Sequence, residues 1–235
     1  MTVRETIFEY RQFVESMTGD TSDDTLSSEL AIYNTLRTSR TVVLRIAVDR
    51  GERLSEEHFQ TLSCIELEEV DRVECHFIPA SGCVWLKSTC DIPDFISIQS
   101  ISTQLGDVYS YVRWDRVREK VGGRLKSAKT DKFYSLRTVK DKVYLYIYND
   151  EFIKNITLTA IFEDPIEAAA FCKYDKTAIC NPMDVSFHTA QNYVDVIKKG
   201  AWDVMLRARA AAKIKVLNND SPVDTTTELP RTKKR

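Results

Sequence analysis

The residues in this sequence whose types could bind a metal or attack a substrate are His58, His76 and His188 and the six cysteines. Cys75 and His76 lie near Cys83 and Cys90, with Cys64 before them and Cys172 and Cys180 after. Structural zinc sites usually draw their ligands in close pairs, about two to four residues apart, and no two cysteines here have that spacing. The thiols therefore read as reduced, buried or half-buried small hydrophobes. A cysteine nucleophile would need a thiol beside a histidine, and no local stretch carries a catalytic-cysteine signature. Gly122 and Gly123 ahead of Arg124 suggest a phosphate cradle but lack the spaced glycines and the Lys-Ser/Thr of a P-loop. They read as a turn. Asp and Glu form no H-E-x-x-H or EF-hand pattern, so the expectation is a protein that is not an enzyme, with no catalytic residue, cofactor or metal.

Charge is the feature left with something to do. Lys and Arg total 33 against 35 Asp and Glu, so the overall balance demands neither nucleic acid nor an anionic membrane. The distribution is uneven. From Glu52 to Glu74 acids outnumber bases eight to two, and from Ser110 to Lys142 bases outnumber acids eleven to four. The basic stretch carries Tyr109, Tyr111 and Trp114 at its start. Two mechanisms can use this pattern. In one, the aromatic and basic segment 109–142 stacks on bases and tracks phosphates, as in a nucleic-acid-binding accessory protein. In the other, acidic and basic patches meet between neighbouring copies in a head-to-tail contact that can close into a ring. The interface residues expected on that reading are Glu66, Glu68 and Glu69 on the acidic side. On the basic side they are Arg113, Arg124, Lys126, Lys129 and Lys132, with Arg231, Lys233, Lys234 and Arg235 at the terminus.

The elements that must position these charges follow from periodicity. Val3, Ile7, Tyr10 and Val14 predict a helix closed by Gly19 and Asp20. Asp23, Asp24 and Thr25 supply capping oxygens for a second helix with Leu26, Leu30, Tyr33 and Leu36 on its stripe, running towards Val48. A short helix opened by Ser55 is expected over 56–62. Strands follow around Ile65 and Leu67, at Cys83 to Leu86, at Val108 to Trp114 and, most strongly, at Lys142 to Tyr148. The last should turn at Asn149 and Asp150 and pair as a hairpin with Ile156 to Phe162. Asp164, Pro165 and Glu167 announce a helix over the Ala-rich run to Phe171. A final long helix should start between Pro182 and Thr189, with Phe187, Val194, Ile197, Ala201, Val204, Ala208 and Ala211 on one stripe.

The fold class expected is α+β: helical N- and C-terminal segments packed together, with an inserted antiparallel β-rich middle. The divisions are N-terminal helices over 1–62, a β-rich middle with a basic loop over 63–163, helices over 164–216 and a flexible basic tail over 217–235. Hydrophobic residues make up 43% of the 235, enough for a substantial core. No apolar run approaches a membrane span and the N-terminus lacks the apolar stretch of a signal peptide, so the chain is expected to stay in the cytoplasm where it is made.

Phe162-Glu163-Asp164-Pro165-Ile166-Glu167-Ala168-Ala169, then Cys172, then Cys180-Asn181-Pro182-Met183-Asp184 and the amphipathic C-terminal helix form an ordered series. With Val121-Gly122-Gly123, the aromatic strand Tyr144 to Tyr148 and the opening TVRETIFEYRQF, this series resembles the head-to-tail connector, or ring, proteins of crAss-like tailed bacteriophages. The Asn181-Pro182-Met183 approach to the last helix and the longer basic tail depart from that pattern. The resemblance implies a virion structural subunit made in the cytoplasm of a bacterial host. It would form a homo-oligomeric ring of roughly twelve copies, with the portal protein and neighbouring tail ring proteins as partners. DNA would pass through the channel without sequence recognition, and no membrane would be involved.

Overall fold

Val3, Ile7, Tyr10 and Val14 are all buried, on one face of α1 (Val3–Thr18). The computed structural model describes residues 1–18, 28–70, 85–122, 132–148, 150, 152–171 and 181–219. The second helix, α2 (Glu29–Asp49), is capped not by Asp23, Asp24 or Thr25 but by Ser28, whose side chain accepts from the amide of Ala31. Residues 19–27, which include Leu26 and the expected caps, lie outside the described residues. Leu30 is 61% exposed, and the buried stripe runs instead through Ile32, Tyr33, Leu36, Arg40, Leu44 and Ala47. The β-branched set Thr41, Val42 and Val43 does not interrupt it, because packing of the inward face outweighs a propensity deficit of tenths of a kcal/mol per residue.

The chain then enters the sheet through a single 3-10 turn, Glu56–His58; the rest of the short helix expected over 56–62 is the start of β1 (Gln60–Glu69). The other strands are β2 (Trp85–Ser88), β3 (Phe95–Thr103), β4 (Ser110–Tyr111), β5 (Phe133–Val139), β6 (Lys142–Tyr148) and β7 (Asn155–Phe162). They form one sheet in the order β3-β7-β1-β2-β6-β5-β4. The expected β6–β7 hairpin is absent. Strand β6 pairs with β5 and β2, and β7 with β1 and β3. The hairpin partner of β6 is β5, joined by Lys140 and Asp141 at φ 51° and 63°, the left-handed pair that a tight primed turn requires. With one edge of β6 filled by β5 and the other by β2, none remains for β7.

The sheet is mixed, not wholly antiparallel, because β4 runs parallel to β5. Of the expected strand Val108 to Trp114 only Ser110 and Tyr111 are strand; Trp114–Arg116 is a 3-10 turn leading into α3 (Val117–Gly122). This short segment joins the two edges of the sheet. Val108 bridges Ser102 of β3, Tyr109 N–H donates to Ile101 O at 2.9 Å, and Val112 N–H donates to Tyr134 O of β5 at 2.9 Å. The sheet thus curls around an interior of Leu62, Ile65, Leu86, Ile101, Tyr109, Leu145, Ile147, Ile156 and Leu158, each fully buried aliphatic side chain contributing about 1.5–3 kcal/mol. Alternation puts Tyr144, Tyr146 and Tyr148 of β6 outside, where Trp85, Phe133, Trp114 and Val117 cover them.

Helix α4 (Pro165–Phe171) follows β7 directly, and α5 (Gln191–Asn219) follows a 3-10 turn at Pro182–Asp184. Helix α5 begins after the expected window, because residues 185–187 run along the start of the chain: Val3 N–H donates to Val185 O and Phe187 N–H to Met1 O. Val194, Ile197 and Ala201 are buried with α1, α2 and Phe187 in one cluster, but Val204 and Ala208 are exposed. Gly200 faces Ser39, where an added Cβ would come within 2.7 Å of the hydroxyl oxygen, so α2 and α5 approach closely.

Candidate assembly surface

The helices join the sheet at one end. Arg40 of α2, 1% exposed, donates from Nη1 to Phe162 O at 2.7 Å, from Nη2 to His188 O at 3.0 Å and from Nε to Thr189 Oγ1 at 3.1 Å. Burial pushes its guanidinium down to about 10, against the opposing fields of Tyr33 and Asp164. Alongside it, Asp164 caps α4 through the amides of Ile166 and Glu167, accepts from Tyr33 Oη at 2.6 Å and pairs with Arg37 at 2.7 Å. Burial alone would raise this carboxyl, but those hydrogen bonds hold it below its ordinary value. Burial first, and then the same carboxylate, pushes the Tyr33 phenol well up.

The register carries the sequence-predicted charges to the opposite end. Glu66 sits across from Asn155, Glu68 from Lys87, Trp85 from Tyr148, and Phe133 from both Tyr148 and Ser110. Glu66, Glu68 and Glu69, which close β1, therefore share this end with Lys132, which opens β5, while Arg113 lies further in, because β4 runs parallel to β5 and Val112 already bonds Tyr134. In the circuit of strands β1 and β4 lie on opposite flanks. Arg124, Lys126, Lys129, Arg231, Lys233, Lys234 and Arg235 lie outside the described residues.

Several of the described bases of this stretch are matched within the chain. Lys132 Nζ lies 2.7 Å from the buried Asp150 carboxylate, which also accepts from Tyr109 Oη at 2.9 Å. Burial and that carboxylate raise the Tyr109 phenol. Arg113 pairs with Asp115 at 3.0 Å and Lys142 with Asp91 at 3.1 Å; Arg137 lies over the Trp114 ring and Lys120 over Phe133. Aromatics expected to stack on bases are also engaged: Tyr109 is buried, and Trp114 packs on Trp85 and Tyr146 at 5.7 and 4.9 Å. A stacking platform needs open rings, and of the three only Tyr111 is exposed. The described aromatics of segment 109–142 are thus mostly built into the fold.

Among the described residues no group of three or more His, Cys, Asp or Glu is placed to hold a metal ion, and no helix is long and apolar enough to cross a membrane. Cys90 is an exposed free thiol. His58 is fully buried, its ring edge-on to Tyr193 at 4.9 Å, and His188 holds a left-handed backbone at φ 44°.

A family model for phage tail ring protein 2 matches residues 14–224. The chain belongs to this family of crAss-like phages. No curated protein sequence matches it. As a tail ring protein it is a structural component of the phage virion, a role carried by surfaces that join subunits. The sequence reading did not single out the far half of α5, where Val204, Leu206 and Arg207 are exposed. The signal for it was the absence of any acid between Val204 and Asn219.

Proposed function

We propose that this tail ring protein forms a closed homo-oligomeric ring of roughly twelve copies at the head-to-tail connector, where it extends the DNA channel and joins the portal side of the particle to the next tail ring. The observation that carries the reading is the family match across residues 14–224. The fold is consistent with it. A sheet curled on its own interior and helices sharing a core form a subunit with enough internal packing to fold before it meets its neighbours. On this reading the terminal helices act as one packed unit, DNA passes without base contacts, and the chain performs no chemistry. It is made in the bacterial host's cytoplasm and incorporated during particle assembly.

The test is mass spectrometry and cryo-electron imaging of purified particles. The chain should be present in stoichiometric ratio to the portal protein and form density encircling the axis between capsid and tail. Particles lacking the chain, or density elsewhere on the virion, would refute the proposal. A protein that instead served nucleic acid would bind duplex or single-stranded DNA as an isolated subunit, with an affinity falling steeply with salt.

A further inference from the structure

Two single-sign runs of charge stand out. The first is Glu66, Glu68 and Glu69, all exposed and without an ion pair among the described residues. The second lies on α5. That helix runs antiparallel to α2, since Tyr193 donates to Glu52 just beyond the end of α2 while Gly200 faces Ser39 in its middle. From the Gly200–Ser39 level α2 reaches back only to Glu29, whereas α5 continues to Asn219. At about 1.5 Å per residue α5 outruns its partner by roughly 13 Å. Before that overhang, level with the first turns of α2, its exposed side chains include Val204 and Leu206, at 49% and 43%, and Arg207, which has no ion pair among the described residues. Between Val204 and Asn219 the sequence carries Arg207, Arg209, Lys213 and Lys215 and no acid.

We propose that the far half of α5 in one subunit docks against the acidic end of β1 in the next copy, an arm-to-body contact that rests on the ring reading above. The single-sign arm and the single-sign strand end are complementary in charge. They are also separated within a copy: α5 packs on α1 and α2, and those helices join the sheet at the end away from Glu66. The two surfaces are different, so the contact is heterologous and repeats from copy to copy, closing when the rotation per subunit allows. The exposed Val204 and Leu206 add an apolar contribution that charge alone would not supply.

The experiment uses the full chain, with assembly followed by mass photometry and native mass spectrometry over a range of salt. Reversing Arg207, Arg209, Lys213 and Lys215 to Glu, or Glu66, Glu68 and Glu69 to Lys, should each raise the concentration for half-assembly by at least about tenfold. Each variant should keep the wild-type urea midpoint. Mixing the two variants should restore rings, because every arm then meets an end of opposite sign. Rings unaffected by the arm reversal, or failure of the mixture to assemble, would overturn the contact while leaving the ring reading intact. So would loss of rings on reversing Arg124, Lys126 and Lys129 but not the arm. A wild-type chain that never assembles, alone or on particles, would instead refute the ring reading itself. Should the reversed chains unfold, wild-type rings that persist at about 1 M salt, where screening acts within roughly 3 Å, would overturn the contact.

Discussion

Replacing Arg40 with Met tests whether the buried guanidinium holds the helices to the sheet. The substitution keeps an unbranched stem of similar length but removes every donor, so Phe162 O and His188 O lose the donors that hold them at 2.7 and 3.0 Å. A buried acceptor left bare costs about 1–3 kcal/mol, and two of them cost roughly 2–6. Loss of the contact with Thr189 Oγ1 and of the cation over the Phe187 ring adds to this. Against it stands the relief of burying a cation, the same desolvation that pushes the group down to about 10. The expected net loss is about 3 kcal/mol, a large part of the 5–15 kcal/mol typical of a folded domain.

Urea unfolding at neutral pH, followed by the fluorescence of Trp85, Trp114 and Trp202, measures this loss. Trp202 reports the helical cluster and the other two report the outer face of the sheet. A chain of this size should lose roughly 2–4 °C in Tm for each kcal/mol. Arg40→Met together with Thr189→Ala should fall short of additive, since both act on one network. A loss below about 1 kcal/mol for Arg40→Met would mean the two carbonyls find other donors, and the argument for Arg40 as the junction would fail.

His58 is held neutral: burial first, and the field of Arg40 second, push it from 6.5 down to about 4. The unfolded chain takes up a proton that the folded chain refuses, so stability should fall as pH drops from about 6.5 towards 4, by at most about 1.4 kcal/mol per unit. His58→Phe should flatten that part of the urea midpoint against pH, leaving the slope from His188, which burial also lowers. Asp164→Asn should keep the α4 cap and cost about 1 kcal/mol, while Asp164→Ala should cost about 2–3 kcal/mol by losing the cap and leaving Tyr33 Oη without its acceptor. Since the Asp164 carboxyl sits below its ordinary value, its contribution should be present near neutral pH and lost on acidification, which the same denaturation series reads. At the β5–β6 turn, Lys140→Asn with Asp141→Gly should raise the unfolding free energy by about 1 kcal/mol, because both positions have positive φ; an unchanged or lower urea midpoint would count against the turn geometry.

Local signals were legible and non-local ones were not. The α1 stripe and the Asp164-Pro165 start of α4 are written within one or two turns, and both stand in the structure where they were expected. Strand β3 went unread because two register shifts, between Phe95 and Ser97 and between Ile98 and Ser100, break the period-two alternation on which strand reading depends. The β5–β6 turn carries Lys-Asp where Asn-Gly would have announced it, and strand pairing across the chain has no local signature at all. Arg40 was legible in position but not in kind. It falls on the Leu36, Leu44 stripe at helical spacing, where an arginine is ordinarily assigned to solvent. The charge segregation was visible in the sequence, but the internal pairing of Lys132, Lys142 and Arg113 requires the fold.

That pairing changes which charges remain for assembly. A subunit that must fold before meeting its neighbours needs contacts that hold irrespective of its surroundings, and here they are enclosed ones: Arg40 on two carbonyls, Asp164 beneath Tyr33, and Lys198, largely buried, on Glu9 at 2.5 Å. Screening by salt reaches such groups weakly. Glu66, Glu68, Glu69 and Arg207 are exposed and without ion pairs among the described residues, so their energy is small in an isolated subunit and becomes appreciable only when a partner excludes water from them. On the proposed arm-to-body contact, stability and assembly draw on different sets of charge. Ionic strength would then govern ring formation while leaving the folded subunit nearly unchanged.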